Sequence, residues 1–134
     1  MREFTTRPRV RYAETDASGI VYYNSYLVYF EIGRVEMFRE LGLPYDWRLP
    51  IAETYCKYKS SARFDDELEI CSFVAELRKK GFRIGHRVSR LGEQGPEHLV
   101  EGYTAMVTVG EDRRPTELPE AFRLAFDPLV VTQT

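Results

Sequence analysis

The stretch YAETDASGIVYYNSY, residues 12–26, sets two carboxylates, Glu14 and Asp16, and then Gly19 ahead of Tyr22, Tyr23 and Tyr26. A carboxylate just before a helix has a definite chemical use, because it can take a proton from water or attack a carbonyl itself. The first N–H groups of the helix, here near Tyr23 and Asn24, have no intrahelical acceptor and carry the positive end of the helix dipole. One loop can thus place a base or nucleophile and an oxyanion donor around a single carbonyl. The same residues also suit a plain change of direction. Thr15, Asp16, Ser18 and Gly19 are all turn formers, and an Asx turn accounts for Asp16 without any chemistry. Glu14 would share a face with Asp16 only if a strand ran on through Thr15, which the turn-rich composition opposes, so it is read as a supporting residue.

The elements that must position this loop follow from hydrophobic periodicity. Residues 4–13 read as a strand, since Pro8, Val10 and Tyr12 alternate with Arg7, Arg9 and Arg11, and Pro8 marks an edge or an irregular start. From about Asn24 to Leu41 the pattern is helical, with Gly42 as the stop and Pro44 just beyond. Its apolar residues, Leu27, Phe30, Met37 and Leu41 with Val28, Ile32, Val35 and Phe38, cover far more than one stripe, so the helix needs apolar cover on most sides. Gly33, which costs about 1 kcal/mol relative to Ala in mid-helix, implies close packing of another backbone.

Four strand-like segments follow at about 51–62, 66–78, 82–92 and 97–110. The short connections FDD, RKKG and GEQGPE predict antiparallel hairpins between neighbours. TELPEAFRLAF supplies one or two helical turns with Pro119 near their start, and residues 127–134 read as a tail. The result is one α+β domain spanning 1–134, in which a sheet curls around the long helix.

With 43% hydrophobic and 30% charged residues in 134, the chain suits a single globular domain burying roughly two-thirds of its unfolded surface. Nineteen basic against 21 acidic residues leave a net charge of −2, which gives no basic field for nucleic acid or an anionic membrane, so any anion site must be local. No apolar run approaches the roughly 20 residues of a membrane span, and MREFTTRPRV lacks the apolar centre of a secretory signal, so a cytoplasmic protein is expected. Cys56 and Cys71 lack metal-ligand spacing and read as buried free thiols. His86 and His98 have neither a ligand at close spacing nor a nucleophile beside them, so no metal and no cofactor is expected.

The run TDASGIVYYNSYLVYFEIGRVEMFRELG resembles the loop and central helix of the hotdog-fold acyl-CoA thioesterases of the 4-hydroxybenzoyl-CoA thioesterase type. YKSSARFDDELEI continues the likeness in the expected order and separation, and it then runs loosely to about residue 125. The resemblance implies a five-stranded antiparallel sheet wrapped around the helix, dimers whose sheets join edge to edge, and active sites at the subunit interface. It also implies hydrolysis of an acyl-CoA to a free acid and coenzyme A. Asp16 is then the general base or nucleophile, the Tyr23 amide polarises the thioester carbonyl, and Gly19 and Tyr22 fall on the substrate side. Some relatives carry a histidine at the position of Tyr23, so their acyl preference does not carry over and only the backbone role transfers.

A coenzyme A thioester brings a pyrophosphate and a 3′-phosphate. LRKKGFRIGHR offers a local cationic patch for them in Arg78, Lys79, Lys80, Arg83 and Arg87; the competing reading is a hairpin tip whose lysines are merely hydrated. Tyr22, Tyr23, Tyr26 and Tyr29 line an acyl pocket or fill the core, with Tyr26 the better core member. Glu31 and Glu36 lie on the helix, where a different hotdog subgroup places its catalytic acid, yet their spacing to Arg34 and Arg39 is that of helix-face ion pairs. Asp65 and Asp66 sit in a turn before a strand and read as structural. Two other functions are weighed: a non-catalytic acyl-thioester binding protein, and a hotdog dehydratase, whose chemistry relies on a histidine motif that neither His86 nor His98 matches. The expected partners are an acyl-CoA and further copies of the chain, as a homodimer or a dimer of dimers.

Overall fold

The computed structural model describes residues 2–130. In chain order it contains β1 (Phe4–Thr6), a 3-10 turn at Tyr12–Glu14, α1 (Ser25–Leu41), β2 (Ile51–Tyr58), β3 (Leu68–Leu77), β4 (Gly81–Arg90), β5 (Glu97–Val107) and α2 (Glu120–Phe126). The five strands form one antiparallel sheet in the order β1-β3-β4-β5-β2, with α1 lying against it. This is the expected hotdog architecture. No helix among the described residues is long and apolar enough to cross a membrane.

α1 ends where its sequence stops it, at Gly42, whose N–H reaches back to the Phe38 and Arg39 carbonyls. Its buried residues, Tyr26, Tyr29, Phe30, Gly33, Arg34, Met37 and Phe38, recur at helical spacing and form one face. Composition calls for apolar cover on most sides of the helix, and the sheet of one chain does not supply it: Leu27 and Val28 stay about 40% exposed in the single chain. Gly33 does mark a close approach, though to side chains and not to a backbone. A Cβ there would overlap the Ser72 hydroxyl and come within 2.8 Å of Ile70, both on β3. On either side of this contact lie two apolar clusters, one around Phe38, Phe82, Phe122 and Phe126, the other around Tyr29, Phe30, Leu68 and Val88.

Three further expectations change. The strand expected over 4–13 shrinks to three residues, because Pro8 offers no N–H; Arg9 makes only an isolated bridge to Glu67 before the chain enters the 3-10 turn. The β3–β4 and β4–β5 hairpins form, but β2 and β3 are not neighbours: β2 pairs with β5 at the far edge. Residues 59–67 therefore cross between the two sides of the sheet instead of turning a hairpin. Of the segment read as a tail, Asp127–Leu129 forms a 3-10 turn, and Leu129 and Val130 pack on the Phe38 cluster. Residues 131–134 lie outside the described residues.

Candidate active site

The loop before α1 is held from behind by Glu14, which is 6% exposed. Glu14 Oε1 accepts the Arg11 N–H and the Tyr29 hydroxyl, both at 2.9 Å, and Oε2 accepts Arg11 Nε at 2.9 Å. Burial, and next the Glu14 carboxylate, push the Tyr29 phenol well above its usual range, so it stays a donor. The Glu14 carbonyl in turn accepts the Tyr22 N–H at 3.1 Å and the Ser25 hydroxyl at 3.2 Å. The residue read as support thus joins the loop to the helix from both its side chain and its backbone.

Asp16 opens a tight turn, in which its N–H donates to the Ile20 carbonyl at 2.8 Å and its carbonyl accepts the Gly19 N–H at 3.0 Å. Its Oδ1 accepts the Ser18 N–H at 2.8 Å and the Ile20 N–H at 3.4 Å, so the Asx turn is present. Oδ2 has no protein partner among the described residues, and Asp16 lines a cavity of about 410 Å³. The turn thus engages only one of the two carboxylate oxygens. Gly19, at φ +80°, supplies the left-handed residue this turn requires and does not line the cavity.

Tyr22 and Tyr23 line the same cavity. The Tyr22 carbonyl accepts the Ser25 N–H at 3.0 Å. In a planar trans peptide the N–H points opposite to the C=O, so the Tyr23 N–H is turned away from the helix. Neither the Tyr23 nor the Asn24 N–H has an acceptor among the described residues, and Asn24 makes no side-chain cap. The Tyr23 phenol stands 72% exposed.

The opposite wall, Tyr58, Lys59, Ser60 and Ser61, was not singled out from the sequence. It arrives through the crossing segment: the Val21 N–H donates to the Ala62 carbonyl at 2.9 Å, and Ile20 bridges to Arg63. Only its place inside YKSSARFDDELEI signalled it. Tyr26 is buried in the core, as expected of it, and also lines the cavity, with its hydroxyl accepting the Ala62 N–H at 2.9 Å.

The cationic patch lies elsewhere. Arg78, Lys80 and Arg83 line a second cavity of about 370 Å³ together with Ala52 and Glu53, at the start of β2. Tyr58, at the end of β2, is six residues from Ala52, or about 20 Å along a strand. Within one chain the patch is therefore not brought to Asp16. Most of its charge is also paired: Arg78 with Glu76 at 2.7 Å, Lys79 with Glu117 at 3.3 Å, Arg83 with Glu53 and Glu76 at 3.4 Å, and Arg87 with Glu3 at 2.9 Å. Lys80 has no carboxylate partner among the described residues. Lys79 does not line the cavity.

The remaining candidates do not line the Asp16 cavity. Glu36 pairs with Arg39 as expected, but Arg34 turns inward, donating to Thr104 Oγ1 at 2.8 Å and to the Tyr45 hydroxyl at 3.2 Å, so the expected Glu31–Arg34 pair does not form. His86 is buried against Phe30, 3.1 Å from Ser72 Oγ and 3.3 Å from Thr104 Oγ1. Burial, and next the Arg34 charge, push its imidazole well below the usual range, so it is neutral. Asp66 caps the Arg63 N–H at 2.8 Å and pairs with Arg90 at 2.7 Å. Both cysteines are free, Cys71 buried and Cys56 half-buried.

A five-stranded antiparallel sheet packed on one long helix is the hotdog fold, and the Asp16 carboxylate and the open amides lie at the start of that helix. The chain belongs to the thioesterase-like superfamily, whose family model matches residues 10–126. YneP of Bacillus subtilis (strain 168), named provisionally as an acyl-CoA thioesterase, is 56% identical over 119 residues, which is 84% of this chain and 85% of that protein. The 4-hydroxybenzoyl-CoA thioesterase of Pseudomonas sp. (strain CBS-3) is 29% identical over 132 residues, covering 88% of this chain and 93% of its own. A crystal structure of a 4-hydroxybenzoyl-CoA thioesterase, an aspartate-to-asparagine variant complexed with 4-hydroxybenzoyl-CoA, superposes with a TM-score of 0.84 at 26% identity, over 94% of this chain and 99% of that one.

Proposed function

We propose that the chain hydrolyses an acyl-CoA thioester to a free carboxylic acid and coenzyme A at the cavity beneath the start of α1. One observation carries this reading. Asp16 and Tyr23 line the same cavity, the first with an unpaired carboxylate oxygen and the second with an unpaired N–H. The thioester carbonyl oxygen sits on the Tyr23 N–H. Asp16 either takes a proton from water, whose oxygen adds to the carbonyl carbon, or adds to that carbon itself to give a mixed anhydride that water then cleaves. In both routes the C–S bond breaks as the oxyanion collapses, and the sulfur leaves as coenzyme A thiolate, which is then protonated. A positioned base contributes typically about 10²–10⁴-fold and one oxyanion donor about 10²–10³-fold. The buried, neutral His86 lies outside this cavity, which favours a hydrolase over a histidine-dependent dehydratase.

The active unit in this reading is a dimer. β2 is a free edge of eight residues, nearly all exposed, and such an edge pairs readily with a second strand. If two copies pair antiparallel about the middle of β2, Ile51 of one lies beside Tyr58 of the other. The Lys80 cavity of one copy then lies level along the paired edge with the Asp16 cavity of its partner, and in this reading the nucleotide phosphates and the thioester are held by different subunits. Free thiols and a balanced charge are in keeping with a cytoplasmic enzyme.

The test is thiol release from a panel of acyl-CoAs, short, long and aromatic, 4-hydroxybenzoyl-CoA among them. Turnover by the wild type and a loss of at least about 10²-fold in Asp16→Asn are expected. The asparagine still accepts the Ser18 N–H, so the turn survives the substitution. Binding without turnover across the panel would make the chain an acyl-thioester binding protein instead.

A further inference from the structure

The free edge strand ends at Tyr58, and the Tyr58 hydroxyl donates to the Tyr23 carbonyl at 2.9 Å. We propose that Tyr58 is a positioning residue, which fixes the aim of the Tyr23 N–H by holding the peptide on the other side of the same Cα. The inference rests on the thioesterase reading above, and no role for this side chain is legible in the sequence.

The orientation of the Tyr23 N–H depends on two peptide planes that meet at the Tyr23 Cα. The plane that carries this N–H also carries the Tyr22 carbonyl, which is held by the Ser25 N–H at 3.0 Å. The next plane carries the Tyr23 carbonyl and precedes the first residue of α1, where helix ends fray for want of partners. Tyr58 supplies the bond to that carbonyl, from the opposite side of the cavity that both residues line. With both planes held, rotation about the Tyr23 Cα is restrained and the N–H stays directed at the cavity. A donor works on a developing oxyanion only when it needs no reorientation at the moment of reaction.

Tyr58 is itself well placed for this task. Its ring packs edge to face on Tyr26, with centroids 5.7 Å apart, and the Tyr26 hydroxyl is fixed by the Ala62 N–H at 2.9 Å. Burial, followed by the Cys56 thiol, pushes its phenol up to about 12, so the hydroxyl keeps its proton across the working pH range. A phenylalanine would keep the ring contact and lose the hydroxyl's bond to Tyr23 together with its contact to the Cys56 thiol, which does not line the cavity.

Tyr58→Phe is therefore the discriminating variant. It is expected to lower kcat about fivefold to tenfold on a given acyl-CoA, the scale of one hydrogen bond, with KM and the thermal midpoint nearly unchanged. A second readout follows the aim of the donor directly. With ¹³C at the thioester carbonyl, difference infrared spectra are taken of the substrate bound to Asp16→Asn and to Asp16→Asn/Tyr58→Phe. The stretch is expected at lower frequency when the aimed N–H polarises the carbonyl, and to move back toward its free value in the double variant. An unchanged kcat and carbonyl frequency in the Tyr58 variants, with Asp16→Asn inactive, would overturn the inference and leave the thioesterase reading standing. A rise in KM alone would also overturn it, making Tyr58 only a wall of the cavity. Normal turnover by Asp16→Asn would remove the reading itself, and this inference with it.

Discussion

The Tyr29 hydroxyl, in the second turn of α1, donates to Glu14 Oε1 at 2.9 Å and so ties the core face of the helix to the loop two residues ahead of Asp16. Because both groups are buried, losing one partner costs more than losing the pair. Glu14→Ala leaves the Tyr29 hydroxyl without its acceptor, and a loss of about 1–3 kcal/mol in urea unfolding is expected. Tyr29→Phe leaves Glu14 with Arg11 and should cost about 1 kcal/mol. Turnover should fall more in Glu14→Ala than in Tyr29→Phe, since only the first also frees the loop. Equal turnover in the two variants would separate the latch from the chemistry.

Tyr23 separates backbone from side chain. Its phenol is exposed and its N–H is open, so Tyr23→Phe should keep most of the turnover, with a modest change in substrate preference. Tyr23→Pro removes the N–H at a position before the helix where a proline is tolerated. It is expected to cost about 3–4 kcal/mol of barrier while circular dichroism and sizing stay near wild type. A dead Tyr23→Phe beside an active, folded Tyr23→Pro would move the catalytic role to the phenol.

Lys79 and Lys80 are adjacent in sequence and differ in surroundings. Lys79 is engaged with Glu117, whereas Lys80 lines the cavity by the start of β2. Lys80→Ala should therefore raise KM for an acyl-CoA severalfold, and Lys79→Ala should change it little. Neither should affect a short thioester that lacks the nucleotide. Equal effects on both substrates would mean that the lysines act through folding.

The edge of β2 offers a test of subunit pairing. The Lys59 N–H donates to the Leu99 carbonyl of β5, so by the two-residue period the Thr54 N–H faces outward. Thr54→Pro should leave the sheet intact, block a second strand from pairing there, and shift sedimentation to the monomer. In the cross-subunit reading, turnover at low substrate falls with it. A monomer with full activity would show that one chain is sufficient.

His86 gives the fold a pH dependence whose sign follows from its lowered pKa. Above the unfolded value of about 6.5 the imidazole is neutral in both states, and its contribution to stability is fully present. As pH falls below that value, the unfolded chain takes a proton that the folded chain refuses. Stability then drops by up to about 1.4 kcal/mol per pH unit, until the folded group also titrates. His86→Gln keeps polar atoms toward Ser72 and Thr104 and removes the titration. Urea midpoints between about pH 7 and 5 should therefore slope less in the variant, and identical slopes would count against a neutral buried His86.

The sequence alone determined what depends on neighbours along the chain. The span of α1 and its stop at Gly42, the two hairpins β3–β4 and β4–β5, and the Asp16–Gly19 turn all follow from local spacing and turn chemistry. The loop and helix pattern also carried the resemblance to the thioesterases. Tertiary structure decided what depends on partners far apart. The alternation that marks a strand does not say which strand lies beside it, so β2 went to the far edge and brought Tyr58–Ser61 to face Asp16 and Tyr23. By spacing Arg34 reads as a helix-face charge, and Glu14 reads as a support of the loop with no partner named. Their burial was set by Tyr29 on another element in one case and by Thr104 and Tyr45 in the other. The two readings of Asp16 are rivals in sequence, where one residue stands for the whole side chain; in three dimensions the turn engages one oxygen and leaves the other unpaired among the described residues, so the turn does not exclude the proposed chemistry.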